Sequence, residues 1–457
     1  MSAGVALVGG QTLAELAELA FLAPPVIPAE ARSAGSARRE AAAWVTKNGF
    51  PDRKHEDWRY FDLRPLLGLT LAPAGLGEPG VALADLAPLL PPGLGGARLV
   101  VVNGRFVAGL SHLDNLPEQA RVTSVASAGS EDGGLAGPVW PVPGHGYRHA
   151  FEALNAALAV DACLIEVAEG ASLEVPIEVV YMSFAHGDLP LSSPRTVVMA
   201  GAGSAATVVE SYLSAGEGAS LTNAHTEVVL GAGARVEHYK LQAEAPEASH
   251  LSTLEVRPGA RSRFVSALLA VGSRLGRHEV HVALAEEGAA VDLAGLYLPA
   301  GDQCHDNPVL VEHIAPRCAS RQLYKGIVDG TGHGIFNGHV VVHPGAAGTD
   351  ADQVNKNLLL SDHAEVDTRP RLEIFTDDVS CTHGAAVGQL DTDALFYLRS
   401  RGIPEPDART LLISGFAQQV LGRFAEGPIR ERAEHLVAAH LAAAAPERAR
   451  ARLGGRR

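Results

Sequence analysis

Cys381 and His383 stand two residues apart in Cys381-Thr382-His383-Gly384, after the polar run Thr376-Asp377-Asp378-Val379-Ser380. Side chains alternate along an extended chain, so a thiol and an imidazole at i and i+2 project from one face. Those donors suit zinc or iron–sulfur chemistry. Two ligands are half a set, and the rest is then expected from a partner chain. Cys304-His305-Asp306-Asn307, with Cys318 further on, carries the same donor types. A free cysteine is usually a small buried hydrophobe, and a structural role is expected for Cys304, Cys318 and, within 162–167, Cys163. His339 and His343 would share a strand face, but their neighbourhood supplies no cysteine or carboxylate at matching spacing for a metal.

Other chemistries are excluded by what surrounds their motifs. Gly201-Ala202-Gly203-Ser204-Ala205-Ala206 fits G-x-G-x-x-A after an apolar run, yet Thr-Val-Val-Glu-Ser-Tyr follows, which reads as strand where a dinucleotide site needs a helix. No P-loop, H-E-x-x-H or G-x-S-x-G occurs, so the chain is expected to have no nucleotide site of its own. With 37 Lys and Arg against 52 Asp and Glu the net charge is −15, which disfavours nucleic acid and anionic membranes as partners. The 4 scattered cysteines, the N-terminus without a basic region and the lack of a long apolar run point to a cytoplasmic protein.

The elements that must hold these residues follow from a repeat. Short β-branched runs alternate with Gly-Ala turns, the second turn residue falling at Gly170, Gly203, Gly233, Gly259, Gly288 and Gly345, at intervals of 33, 30, 26, 29 and 57. The last interval is nearly double, and Cys318 lies where the missing turn belongs. A period of about 30 residues implies stacked units that share a core, and β-branched units this short fit a parallel β-helix better than propeller blades. Small inward side chains also account for only 5% aromatics. The expected organisation is a mostly helical region with an irregular connector over 1–95, a β-helix over 96–389 and a helical domain over 390–457. At the front, Leu-rich helical spacing stops at Pro24 and Pro25, and a second helix runs from Pro28 to Asn48. At the back, Asp391 caps a helix ended by Gly402 and Pro404. A second runs from Pro406 to Glu426 with Leu411, Leu412, Phe416, Val420 and Phe424 in one stripe, and a third from Pro428 to about Ala445 precedes a frayed basic tail.

Gly334-Ile335-Phe336-Asn337-Gly338, His343-Pro344-Gly345-Ala346, Asp352-Gln353, Asn357-Leu358-Leu359-Leu360, Arg371 to Val379, Cys381 to Ala385 and Leu395 to Ile403 resemble, in order, the SufB/SufD family of iron–sulfur cluster assembly proteins. Lys54, Glu56, Trp58 and Tyr60 resemble its N-terminal K-x-E-x-W-x-Y cluster. Cys-x-His-Gly-Ala is similar to the SufD type, where SufB has His-Glu-Ala, and Thr382 stands where Ser is frequent. The resemblance implies a right-handed parallel β-helix between helical ends, in a non-catalytic scaffold. Its partners would be a SufB sister subunit, or a second copy in a homodimer, and the ATPase SufC bound through the C-terminal helices. Phe396, Leu411, Leu412, Phe416 and Val420 are then the expected partner-binding residues. His383 and Cys381 would hold a transient iron–sulfur cluster shared across the subunit interface, and no residue is assignable to a flavin. The alternative is a β-helix carbohydrate-active enzyme or acyltransferase with a surface-groove active site.

Overall fold

The computed structural model describes residues 12–22, 34–73, 82–125, 146–184, 189–216 and 218–454. The expected helix stop at Pro24 and Pro25 and the expected helix start at Pro28 lie outside them.

The β-branched runs are strands, as alternation over short segments requires. They are β1 Cys163–Val167, β2 Ile177–Phe184, β3 Arg195–Ala200, β4 Ala205–Ala215, β5 Leu221–Leu230, β6 Arg235–Ala243, β7 Ser249–Pro258, β8 Arg263–Ala270, β9 Leu275–Leu284, β10 Ala290–Tyr297, β11 Cys304–His313, β12 Ala319–Val328, β13 His333–Val342, β14 Thr349–Leu359, β15 Glu365–Ile374 and β16 Val379–Gln389. Odd-numbered strands form one sheet and even-numbered strands the other, each strand parallel to the next of its own sheet. The chain is a parallel β-solenoid, as the repeat predicts. Register stacks like on like: Ile165, Val198, Val228, Val256, Val282, Val311, Val340 and Leu372 form one inward ladder of the odd sheet. Burial of each such side chain contributes about 1.5–3 kcal/mol.

The turns correct the repeat in detail. The left-handed turn positions that stack on one another are Gly170, Gly203, Gly233, Arg261, Gly288, Arg317 and Gly348, each with φ between 54° and 73°. From Gly170 to Gly348 each amide in this column donates to a carbonyl in the next turn. Gly259 is therefore not the left-handed position of its coil, and Gly345, itself left-handed at φ 95°, lies outside this stacked column, whose member in that coil is Gly348. A Cβ on Gly259 would lie 2.6 Å from the Leu230 carbonyl oxygen, so this glycine answers to close stacking instead. The missing turn sits at Arg317, beside Cys318, and went unseen because it is not a glycine.

The two ends of the solenoid differ. At the first end, Ala120–Ser124 pairs antiparallel with β1, and Arg98–Val102 pairs with β2 and with Arg105–Phe106. At the other, β15 and β16 are the outermost strands of their sheets, with no described strand beyond.

Helices α1 Leu13–Leu22, α2 Ala34–Asn48 and α3 Ala150–Leu158 cover the outer face of the odd sheet through Leu221, Leu251, Leu275 and Ile335. α3 falls inside the segment expected to be β-helix. Trp58 is buried here, stacked on Phe151 at 5.6 Å, with the Arg277 guanidinium 3.7 Å from its ring centroid.

On the other side, α4 Thr392–Ser400 is capped by Asp391, whose carboxylate accepts from the Asp393 and Ala394 amides at 2.8 and 3.1 Å. α5 Glu405–Leu421 and α6 Pro428–Gly454 follow, α6 running past the expected end at Ala445. α5 docks on the outer face of the even sheet, but not by the expected stripe. Ala408, Ile413, Ala417, Val420 and Leu421 are buried, Leu412 and Phe416 half-buried, and Leu411 is 53% exposed. The alanines let the helix sit close to Leu269, Leu296 and Ile327, which turns the larger Leu411 outward.

Candidate functional site at the open end of the solenoid

β16 carries Cys381 and His383, and its register with β14 places Cys381 beside Ala351 and His383 beside Gln353. Ala351 and Gln353 are buried and point into the solenoid, so Cys381 and His383 continue that inward face at the rung where the stack stops. The expected common face holds. His383 is exposed, while Cys381 is half-buried against Val340, Val342, Ala346 and Ala351, and that burial pushes its thiol up. Thr382 points the opposite way and donates to Asp352, so the threonine leaves the pair unobstructed. A Cβ on Gly384 would meet nothing within 4 Å among the described residues, whose packing does not require glycine there. The neighbouring edge strand β15 is tied to the N-terminal cluster, Arg369 and Arg371 pairing with Glu56, and Arg371 with Asp57 at 3.4 Å. That accounts for the charged residues flanking Trp58.

A soft thiol and a borderline imidazole on one open face can supply part of a coordination set, the remaining ligands coming from whatever closes the end. His339 and His343 share the outer face of the odd sheet but do not converge. His339 pairs with Glu373 at 3.0 Å, and His343 with Glu312 at 3.1 Å, whose other oxygen meets His281 at 2.9 Å. Cys163 and Cys318 are buried, Cys318 directing its sulfur at the Glu286 carbonyl 3.3 Å away, the structural role expected. After Gly203 the chain enters β4 and not a helix, so the glycine-rich turn is a coil turn. Among the described residues His225, Glu227 and Glu255 group like metal donors, but Arg257 already holds Glu227 at 2.8 Å and Arg148 holds Glu255 at 2.7 Å.

The expected partner-binding residues separate. Phe396 is 72% exposed and Leu411 is open, whereas Val420 is fully buried in this chain's own core. The Lys325 ammonium lies 4.0 Å from the Phe416 ring centroid and donates to its carbonyl at 2.8 Å. Inside the solenoid runs a polar row that no sequence motif announces. Glu210, fully buried, accepts from Thr226 at 3.0 Å and faces His238 Nε2 at 3.1 Å. Burial would push its carboxyl up, but the His238 bond and the Lys240 charge bring it below the ordinary value. Burial pulls Lys240 down to about 8 and pushes Glu244 up to about 7. Period-2 reading of Val208, Glu210 and Tyr212 puts the glutamate on the core face, and that alternation was the available clue.

Residues 182–416 match the family model described as SUF system FeS cluster assembly, SufBD core domain, and residues 29–179 match the SufBD protein N-terminal region. The iron–sulfur cluster assembly protein SufD of Escherichia coli is 31% identical over 378 residues, covering 82% of this chain and 86% of the relative. An iron–sulfur cluster assembly SufBD family protein of Synechocystis is 30% identical over 392 residues, covering 84% of this chain and 86% of the relative. The solenoid with its open last rung and the sequence matches at both ends agree, and the chain belongs to the SufBD family of iron–sulfur cluster assembly proteins.

Proposed function

We propose that this chain is a non-catalytic, cytoplasmic scaffold subunit that pairs through β15 and β16 with a SufB-type sister chain, or with a second copy of itself, and offers His383 and Cys381 to a nascent iron–sulfur cluster. The observation that carries the reading is the contrast between the ends: the first is capped by strands, whereas no described strand pairs beyond β15 and β16, and the inward face of β16 carries a thiol and an imidazole. Ten- and eleven-residue edges left open are templates for pairing with another chain. Gly384, which no described neighbour demands, then leaves room for the partner.

The C-terminal helices would take the SufC ATPase, with Phe396 and Leu411 as the accessible apolar residues. Movement of those helices on ATP binding would reach the shared interface through the even sheet on which α5 rests. The rival reading as a solenoid enzyme has less to stand on, because helices pack against the outer faces of both sheets.

Co-expression with the sister chain and the ATPase, followed by anaerobic iron and sulfide loading, tests the proposal. His383→Ala should leave the complex intact and lower the cluster it assembles. Undiminished assembly in an intact complex would refute the assigned role of His383.

A further inference from the structure

Cys304, His333 and Asp367 lie on β11, β13 and β15, three successive strands of the odd sheet, all facing outward and all half-buried. Cys304 and His333 are direct register partners. His333 Nε2 lies 2.8 Å from Asp367 Oδ2, and His333 Nδ1 lies 3.9 Å from Cys304 Sγ. With the Nε2 proton held on the carboxylate, Nδ1 carries the ring's lone pair and points it at the thiol. This is a nucleophile, a base and a group that orients the base, in sequence along one face. The family reading uses none of the three.

We propose that Cys304 is a reactive thiol activated by His333 and Asp367, and that it accepts sulfane sulfur from a persulfide or polysulfide. Burial, with Asp306 and Asp367 adding to it, keeps the resting sulfur protonated, so the thiolate forms only as its proton passes to His333. The Cys304 sulfur attacks the outer sulfur of a donor R–S–SH and the donor S–S bond breaks. R–S⁻ leaves and takes the proton from His333, giving Cys304–S–SH and R–SH. The donor is reduced to a thiol as Cys304 is oxidised to a persulfide, and no other reactant is required. Asp62, Asp306, Asp367 and Arg277 are the charges that bear on the sulfur. The choice of sulfur as electrophile rests on the iron–sulfur assembly reading; activation of the thiol does not.

The full chain, reduced, is treated with iodoacetamide over a pH series and separately with inorganic polysulfide, and every cysteine is followed by peptide mass. Cys304 should alkylate about tenfold or more faster than in His333→Gln, with a pH profile that changes in the variant. Asp367→Asn should fall between, and it carries the comparison if circular dichroism shows His333→Gln misfolded. Polysulfide should add one sulfur to Cys304 in the parent and not in His333→Gln. Equal alkylation in parent and variants overturns activation. Fast alkylation without sulfur uptake overturns the sulfur assignment. Neither result depends on cluster assembly, so the scaffold reading stands or falls separately.

Discussion

Gln353 and His383 are neighbours in register on the last two rungs of the even sheet, and Gln353 is itself hydrogen-bonded to Gln322 at 3.0 Å one rung further in. His383 therefore has a polar floor on one side and no described strand of its own chain on the other. Its imidazole is exposed at the end of the solenoid, at a position fixed by strand register.

Closure can be tested without touching the donors. Val387 lies on the same strand and inward face as His383 and is 46% exposed. Val387→Asp should leave the thermal midpoint of the isolated chain nearly unchanged, since exposed substitutions usually shift stability by less than about 0.5 kcal/mol. In a paired end the carboxylate would be buried without a partner, and association should weaken by tenfold or more, roughly 1.4 kcal/mol or above. Sedimentation of the chain with its sister subunit reads this directly; unchanged association would mean that the partner binds elsewhere.

The C-terminal helices give a paired prediction. Phe396→Ala and Leu411→Ala remove exposed side chains and should not change the urea midpoint, but each should weaken capture of the ATPase in a pull-down. Val420→Ala deletes methyl groups from a closed core beside Leu421 and Phe424 and should lower stability by about 1–3 kcal/mol. If all three variants lose ATPase binding only in proportion to their loss of stability, the exposed pair has no direct part in the contact.

How far the sequence could be read depended on which features repeat. The solenoid was legible because each coil presents the same valine ladder and a turn at nearly constant spacing, and Cys381 with His383 was legible because period 2 is local. Arg317 hid one turn and Arg261 shifted the left-handed position of another two residues beyond Gly259: the conformation repeats but the residue type does not, an arginine having taken a left-handed position that glycine adopts more easily. The grouping of Cys304, His333 and Asp367 was invisible for a different reason. Its members are neighbours only through strand register, which no stretch of sequence displays. The burial of Val420 and exposure of Leu411 likewise depend on which side of α5 meets the sheet, and an apolar stripe alone does not decide that.

Trp58 shows what the N-terminal cluster does for the solenoid. Its ring lies between Phe151 of α3 and the Arg277 guanidinium of β9, and Arg277 pairs in turn with Asp306 of β11 and with Glu279 at 3.1 Å. Trp58→Ala would open a cavity and uncover a buried cation, so a loss of about 3–5 kcal/mol in urea unfolding is expected. Trp58→Phe keeps an aromatic face over Arg277 and should recover part of it. Equal losses in the two variants would show that the ring's face toward Arg277 contributes nothing beyond volume.

The polar row inside the solenoid makes stability depend on pH in a direction opposite to that of an ordinary salt-bridged carboxylate. Glu244 is buried and accepts from Thr222 at 2.6 Å and Gln242 at 3.1 Å, yet burial outweighs these bonds and raises its carboxyl to about 7 from its ordinary 4.5. Between those two values the folded chain binds more protons at this site than the unfolded chain, so its contribution to stability declines as pH rises from 4.5 to 7 and then levels. Glu244→Gln keeps the shape and cannot ionise. Its advantage over the parent should be near zero at pH 4 and grow to on the order of 2–3 kcal/mol above pH 7. Lys240 acts in the next window: burial lowers it to about 8 from 10.5, so stability should rise again as pH climbs between those values. Urea midpoints taken from pH 4 to pH 10 test both groups. A Glu244→Gln curve parallel to the parent's would show that Glu244 titrates no differently in the folded chain than in the unfolded one.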